Sequence, residues 1–313
     1  MFASLWDDVK REFSKGNTVT RLIIVNVSFF VLINLFKLFS RLGDPTGGLS
    51  LYNKVLDWFM ISSDPIEVLT EPWTLFTSMF LHEGFWHILW NMLFLYWFGR
   101  IVGDLIGDRH ILPMYLLGGL VGNIAFLASA ALMGYSGSAL GASGAVMAIV
   151  LASAVLAPDY MMYLLLIGPV KLKYIVAVLL FLDLIGIADD INTGGHFAHL
   201  GGAFMGWLFV LQLRSGTDLS QPVNKIVFAI RDFFRKIGGS LKGKPKGPHL
   251  AYRNKKKKKR WGSRKPHAVS DVDTDGNMSH QEELDAILDK IKKTGYESLT
   301  AEEKEFLFKA SKK

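Results

Sequence analysis

No cysteine occurs among the 313 residues, which excludes disulfide scaffolds, thiolate zinc sites, iron–sulfur clusters and cysteine nucleophiles together. Charge is also scarce, at 20% of residues, while half of the chain is apolar and 12% aromatic. A mean hydropathy of +0.27 is too oily for an ordinary soluble domain of this size. The charge present is divided unevenly. Residues 1–213 carry 11 Lys/Arg against 15 Asp/Glu, and residues 214–313 carry 24 against 13. A slightly acidic, oily body with a basic tail reads as a membrane protein whose tail lies on the anionic-lipid side.

Six apolar segments approach the ~20 residues that a bilayer-spanning helix needs: about 19–40, 86–104, 111–133, 143–157, 169–187 and 196–213. Lys10, Arg11, Lys15 and Arg21 before the first resemble a signal-peptide start, but no small-residue cleavage site follows, so the segment reads as a retained span. Arg100 and Arg109 lie in the second–third connection, and Lys171 and Lys173 in the fourth–fifth. The third–fourth loop, Gly134–Leu140, has no charge, and the fifth–sixth has Asp189 and Asp190 without Lys or Arg. The positive-inside rule then puts both termini in the cytoplasm.

The expected organisation is a cytoplasmic segment over 1–18, a six-span domain over 19–214, a basic cytoplasmic linker over 215–265 and a small helical segment over 266–313. The long outer loop 41–72, with Trp58 and Phe59, is expected in the membrane interface. Residues 231–265 hold 15 Lys/Arg against Asp232 alone and read as a disordered linker. In the tail, Ser279 with Glu282 and Thr300 with Glu303 have capping-box spacing ahead of two short helices.

Polar groups inside spans are costly and therefore functional candidates. His82, His87, His196 and His199 fall at the outer ends of spans two and six, with Asn91 nearby and Ser143 in Gly141-Ala142-Ser143-Gly144 opening span four. Three helices thus bring polar groups to one depth. A serine needs a base to become a nucleophile, and at a helix start its neighbouring N–H groups are free. His87 and Asn91, four residues apart, share a face from which both can donate to one oxyanion. Gly202 and Gly206 form a small-residue face. Packed on Ala145, Ala148 and Ala152 of span four, it would bring His199 to Ser143.

The ordered set His82-x-Gly84-x-x-His87-x-x-x-Asn91, Gly141-x-Ser143-Gly144 and Ala198-His199-x-x-Gly202-x-x-x-Gly206 strongly resembles the rhomboid family of intramembrane serine proteases, over about residues 19–213. The resemblance implies an all-α, six-transmembrane-helix bundle. It also implies a Ser143–His199 dyad without an aspartate, and an oxyanion hole from the Ser143 N–H, His87 and Asn91. Gly141, Gly144, Gly202 and Gly206 would support the site. Substrates would be transmembrane segments of other proteins, entering sideways near spans two and five under a movable cap at 186–195. The chain departs from the family at Thr74, where many relatives have arginine after the tryptophan equivalent to Trp73. It departs again at Met147, where an aromatic often packs on the catalytic histidine.

Other readings lie beside these. His82 and His196 are expected to be structural, and Asp183 to reach the interface. No metal site and no cofactor are expected. His82-Glu83-x-x-x-His87 has the wrong spacing for a zinc helix, and no carboxylate is evident to join His196 and His199. Asp271-x-Asp273-x-Asp275-Gly276 with Glu282 fits a calcium-loop pattern without an entering helix. The run Lys255–Arg260 is expected on anionic lipid rather than nucleic acid. The rival functions are a catalytically inactive rhomboid-like client-binding protein and a small-solute transporter. The compact layout is expected in a prokaryotic plasma (inner) membrane, with the site opening to the outer face.

Overall fold

A computed structural model describes residues 2–43, 49–165, 167–190, 192–241, 286–292 and 296–310. The chain divides into two compact units, Met1–Pro245 and Lys246–Lys313. The first begins with α1 (Phe2–Lys15) and α2 (Thr18–Gly43), then α3 (Ser50–Asp57), β1 (Ile61–Ser62), α4 (Pro65–Thr70) and α5 (Thr74–Thr77). It continues through α6 (Phe85–Ile106), α7 (Ile111–Met133), β2 (Ser138–Ala139), α8 (Ser143–Leu156) and the hairpin β3 (Met161–Leu164) and β4 (Gly168–Lys171). The helices α9 (Leu172–Ala188), α10 (Thr193–Arg214) and α11 (Ser220–Leu241) complete it.

Each of the six apolar segments coincides with a helix: α2, α6, α7, α8, α9 and α10. Among the described helices, Thr18–Gly43 and Asp108–Met133 are long and apolar enough to cross a membrane by length and composition. Large apolar side chains face outward, among them Leu32, Phe39, Trp86, Phe181 and Phe204. Small and polar ones lie inside, among them Ala142, Ala148, Ser153 and Asn26. Asn26 donates from Nδ2 to the Tyr115 hydroxyl at 3.2 Å, and that hydroxyl donates to the Met79 carbonyl at 2.8 Å. Large apolar side chains thus lie on the outside as well as in the core, which also holds Leu95, Phe98, Ile111 and Phe209.

The centre is a three-helix junction of α7, α8 and α10, built from residues too small to hold the backbones apart. A Cβ at Gly202 would collide with the Gly144 carbonyl oxygen, and one at Gly206 with that of Ala148. On the other flank, a Cβ at Gly122 of α7 would lie 2.8 Å from the Ala198 carbonyl oxygen. The partners of Gly202 and Gly206 on α8 are therefore Gly144 and Ala148.

At one end of the bundle, β1 of the long loop pairs antiparallel with β2, Ile61 opposite Ala139. Tyr52 and Leu56 of α3 are buried with Leu81. The loop 41–72 is thus partly tied to the bundle by backbone pairing and core contacts. Trp73 donates from Nε1 to the Trp58 carbonyl at 2.8 Å, and their rings meet edge to face at 5.3 Å. At the opposite end the hairpin β3–β4 carries an exposed ion cluster, in which Lys173 and Lys171 approach Asp159 at 2.9 and 3.0 Å. These ammonium groups hold the Asp159 carboxyl down at about 2.

Two expectations change here. The segment 215–265 begins with a regular helix, α11, because apolar residues recur at helical spacing through its basic sequence. In addition, α10 starts at Thr193, so Gly194 and Gly195 lie in its first turn rather than in a cap loop. Gly194 is small because the Phe126 ring and the Tyr135 hydroxyl occupy the space a Cβ would need, at 2.7 and 2.8 Å.

In the second unit, Thr300 and Glu303 form the reciprocal cap of α12 (Ala301–Ala310): the Thr300 N–H donates to Glu303 Oε2 at 2.7 Å, and the Glu303 N–H to Thr300 Oγ1 at 3.3 Å. Lys290 pairs with Glu303 at 2.8 Å. The run Lys255–Arg260, the calcium-loop pattern at 271–282 and the Ser279–Glu282 box lie outside the described residues.

Gly206→Ala should destabilise the protein by roughly 3 kcal/mol, because its methyl group meets backbone that cannot rotate away. Gly137→Ala, with nothing within 4 Å of the new carbon, should leave stability unchanged. Thermal unfolding of both variants in detergent checks this, and equal midpoints would contradict the packing account.

Candidate active site

Ser143 is the first residue of α8, preceded by Gly141 at φ +131°. A side chain is disfavoured there twice over, by the backbone conformation and by space. A Cβ would lie 2.8 Å from His87 Nε2 and 3.7 Å from Ser143 Oγ. The glycine therefore lets the His87 ring and the serine hydroxyl approach the same point. Its own N–H donates to the Ser78 carbonyl at 2.9 Å, holding the turn in place. The first N–H groups of α8, at Ser143 and Gly144, have no carbonyl one turn before them within the helix.

A cavity of about 1010 Å³ gathers His87, Asn91, Ser143, Met147, Asp183, His196 and His199 along its wall. Asn91 donates from Nδ2 to the His87 carbonyl of its own helix at 2.9 Å. One amide hydrogen is engaged there, and the second remains for another acceptor. The residue at 147 is a buried methionine in the cavity wall.

Asp183 differs from its expected position at the interface. It is buried on α9, and His196 Nδ1 and His199 Nδ1 each lie 2.7 Å from its Oδ1. A carboxylate accepts, so each ring donates from Nδ1 and has Nε2 left for another partner. The two rings meet edge to face at 5.7 Å. Gly186, one turn further along α9, leaves room for His196, whose ring fills the place of a Cβ there. Asp183 stood out in the sequence as an acid within an apolar helix, but hydropathy does not report which neighbour faces it. Asp183 is also the carboxylate that sequence spacing did not supply for His196 and His199: one donor atom from each lies within 4.8 Å of the others. Their Nδ1 atoms and the carboxylate oxygen already satisfy one another.

Among the described residues no hydrogen bond joins Ser143 to His199. They share a cavity wall, with His199 Nδ1 committed to Asp183. His82 sits outside the group of residues lining the cavity. It is buried in the turn before α6, takes the Ala142 N–H on Nε2 at 3.5 Å and stands edge to face with His87 at 5.0 Å. Burial, with the nearby charge of His87 adding to it, pushes the His82 imidazole down to about 3. It is neutral at physiological pH and suited to accepting that backbone bond.

Residues 69–216 match the family model described as Rhomboid domain, and residues 276–313 match a family of unknown function, DUF6576. The chain is 29% identical over 225 residues to RHOMBOID-like protein 12, mitochondrial, of Arabidopsis thaliana, covering 67% of this chain and 62% of that protein. It is 28% identical over 235 residues to the human presenilin-associated rhomboid-like protein, mitochondrial, covering 72% and 56%. The corresponding rat protein is 29% identical over 204 residues, covering 62% and 51%. The chain thus spans between half and about three-fifths of the length of these relatives. Their mitochondrial names overturn the expected prokaryotic plasma membrane. A compact helix count carries no information about compartment, and that expectation rested on it.

Proposed function

We propose that this chain, which belongs to the rhomboid family through residues 69–216, is a serine endopeptidase that cuts transmembrane segments of other proteins within a six-span bundle. The observation carrying this reading is the convergence of Ser143, His87, Asn91 and the Asp183-bound His199 on one cavity. The apolar exterior of α2, α6, α9 and α10 supports a lipid surrounding, since a soluble monomer rarely exposes so large an apolar surface.

In this mechanism His199 Nε2 takes the Ser143 hydroxyl proton as Oγ attacks the scissile carbonyl carbon. The Ser143 N–H, His87 and the free Asn91 amide hydrogen stabilise the developing oxyanion. Collapse breaks the C–N bond, and the proton passes from His199 to the departing amine. Water then enters by the same base and releases the acyl group from Ser143 as a carboxylic acid. Asp183 acts through His199 as a positioning residue: it holds the Nδ1–H tautomer and stabilises the imidazolium. This replaces the simple dyad with a Ser–His pair braced by a carboxylate. His196 donates to the same carboxylate oxygen.

Cleavage of a reconstituted single-span reporter tests the reading. Ser143→Ala and His199→Ala should each abolish it in protein that still unfolds cooperatively, and Asn91→Ala should lower the rate about 10²–10³-fold. Full cleavage by Ser143→Ala would refute the proposal. Asp183→Asn should lower kcat about 10²–10⁴-fold with KM unchanged, Asp183→Glu should recover part of the loss, and chelators should have no effect. Chelator-sensitive cleavage, or a loss confined to KM, would contradict the positioning role.

A further inference from the structure

The helix α11 lies outside the site and carries two faces of different chemistry. Val223, Ile226, Val227, Ile230, Phe233 and Phe234 recur at helical spacing along one arc, while Lys225, Asp232 and Lys236 occupy the opposite side with the exposed Phe228, and Arg231 and Arg235 a flank. Ile226, Ile230, Phe233 and Phe234 are each more than half exposed. Such a face in water would be a liability.

The start of the helix is fixed to the bundle. Asp218 caps it, accepting from the Ser220 N–H at 2.9 Å and the Ser220 hydroxyl at 2.6 Å. The same carboxylate lies 3.5 Å from His110 Nε2 and 4.0 Å from Arg109. Asn224 donates to the Arg109 carbonyl at 3.1 Å. These contacts anchor α11 to the turn between α6 and α7. Arg214, at the end of α10, donates to the Val155 carbonyl near the end of α8 at 2.7 Å, so the same end of the bundle holds the β3–β4 hairpin. Tyr160, Tyr163, Leu165 and Ile167 of that hairpin region are exposed, the amphipathic composition of a membrane–water boundary.

We propose that α11 lies flat in the membrane interface and docks on an anionic lipid surface, its apolar arc among acyl chains and its cations among headgroups. Three observations select lipid as the occupant. The helix is anchored at the depth where the bundle ends. It carries four Lys/Arg against Asp232. Residues 242–265, which follow in the sequence, hold 12 Lys/Arg and no Asp or Glu. Amphipathic helices of this kind sink about 5–10 Å into the boundary. The proposal rests on the membrane-spanning reading above.

The absence of cysteine makes the test direct. Single nitroxides are placed on the full chain through Ile226→Cys, Ile230→Cys and Phe234→Cys on the apolar arc, and Lys225→Cys, Asp232→Cys and Lys236→Cys opposite it. Leu32→Cys on the exposed face of α2 serves as the bilayer control. In vesicles of phosphatidylcholine with phosphatidylglycerol, the first three labels should be more accessible to oxygen than to a water-soluble nickel complex, and the second three the reverse. Nickel access at all six sites with a lipid-buried Leu32→Cys label would overturn the docking proposal and leave the spanning bundle intact. Nickel access at Leu32→Cys as well would overturn both. Spin–spin broadening on the apolar arc would show a second copy of the chain in place of lipid and would also overturn it.

Discussion

The backbone of α10 touches that of α8 because Gly202 and Gly206 carry no side chain where the Gly144 and Ala148 carbonyls stand. A helix pair held at the usual 8–10 Å axis distance by larger residues would move His199 away from the start of α8. In a membrane, where apolar surface gains little by leaving lipid, such close van der Waals contact is the main force available to join helices. The positions of Ser143, His199 and the shared cavity wall follow from it. Gly122 and Gly118 of α7 extend the same solution to the third helix of the junction.

On that frame, polar chemistry is supported in layers. Gly141 admits the His87 ring beside the Ser143 hydroxyl, and its N–H is tied to Ser78. Asn123 of α7 donates to Ser78 Oγ at 2.9 Å and to the Leu75 carbonyl at 2.8 Å, fixing the turn from below. Asp183 reaches in from α9 and takes both His196 and His199 on one oxygen. Buried polar groups are costly unless hydrogen-bonded, and the bonds to Asp183 also orient His196 and His199, which line the cavity.

Much of this was legible in the sequence. The six apolar runs coincide with helices, and the GxxxG face of α10 meets α8, because both features depend on local composition and helical period. The groups around Ser143 were legible because Gly141, Ser143, His87 and Asn91 sit at helix ends whose order along the chain fixes their level. The role of Asp183 was not: an acid in an apolar helix signals a partner, but choosing between the interface and His199 requires the rotation of α9 about its axis. Gly194 and Gly195 read as loop flexibility, whereas close contact with Phe126, Tyr135 and Asn192 selects them. In α11, abundant basic residues concealed an apolar period of ordinary helical spacing.

The central claim is that the α8–α10 contact makes Ser143 a nucleophile through His199. Its most direct test is covalent labelling of the intact protein by a fluorophosphonate, with the modified residue located by mass spectrometry. The account predicts a single adduct on Ser143 that is lost in His199→Ala. An adduct on another serine, or undiminished Ser143 labelling in His199→Ala, would contradict it.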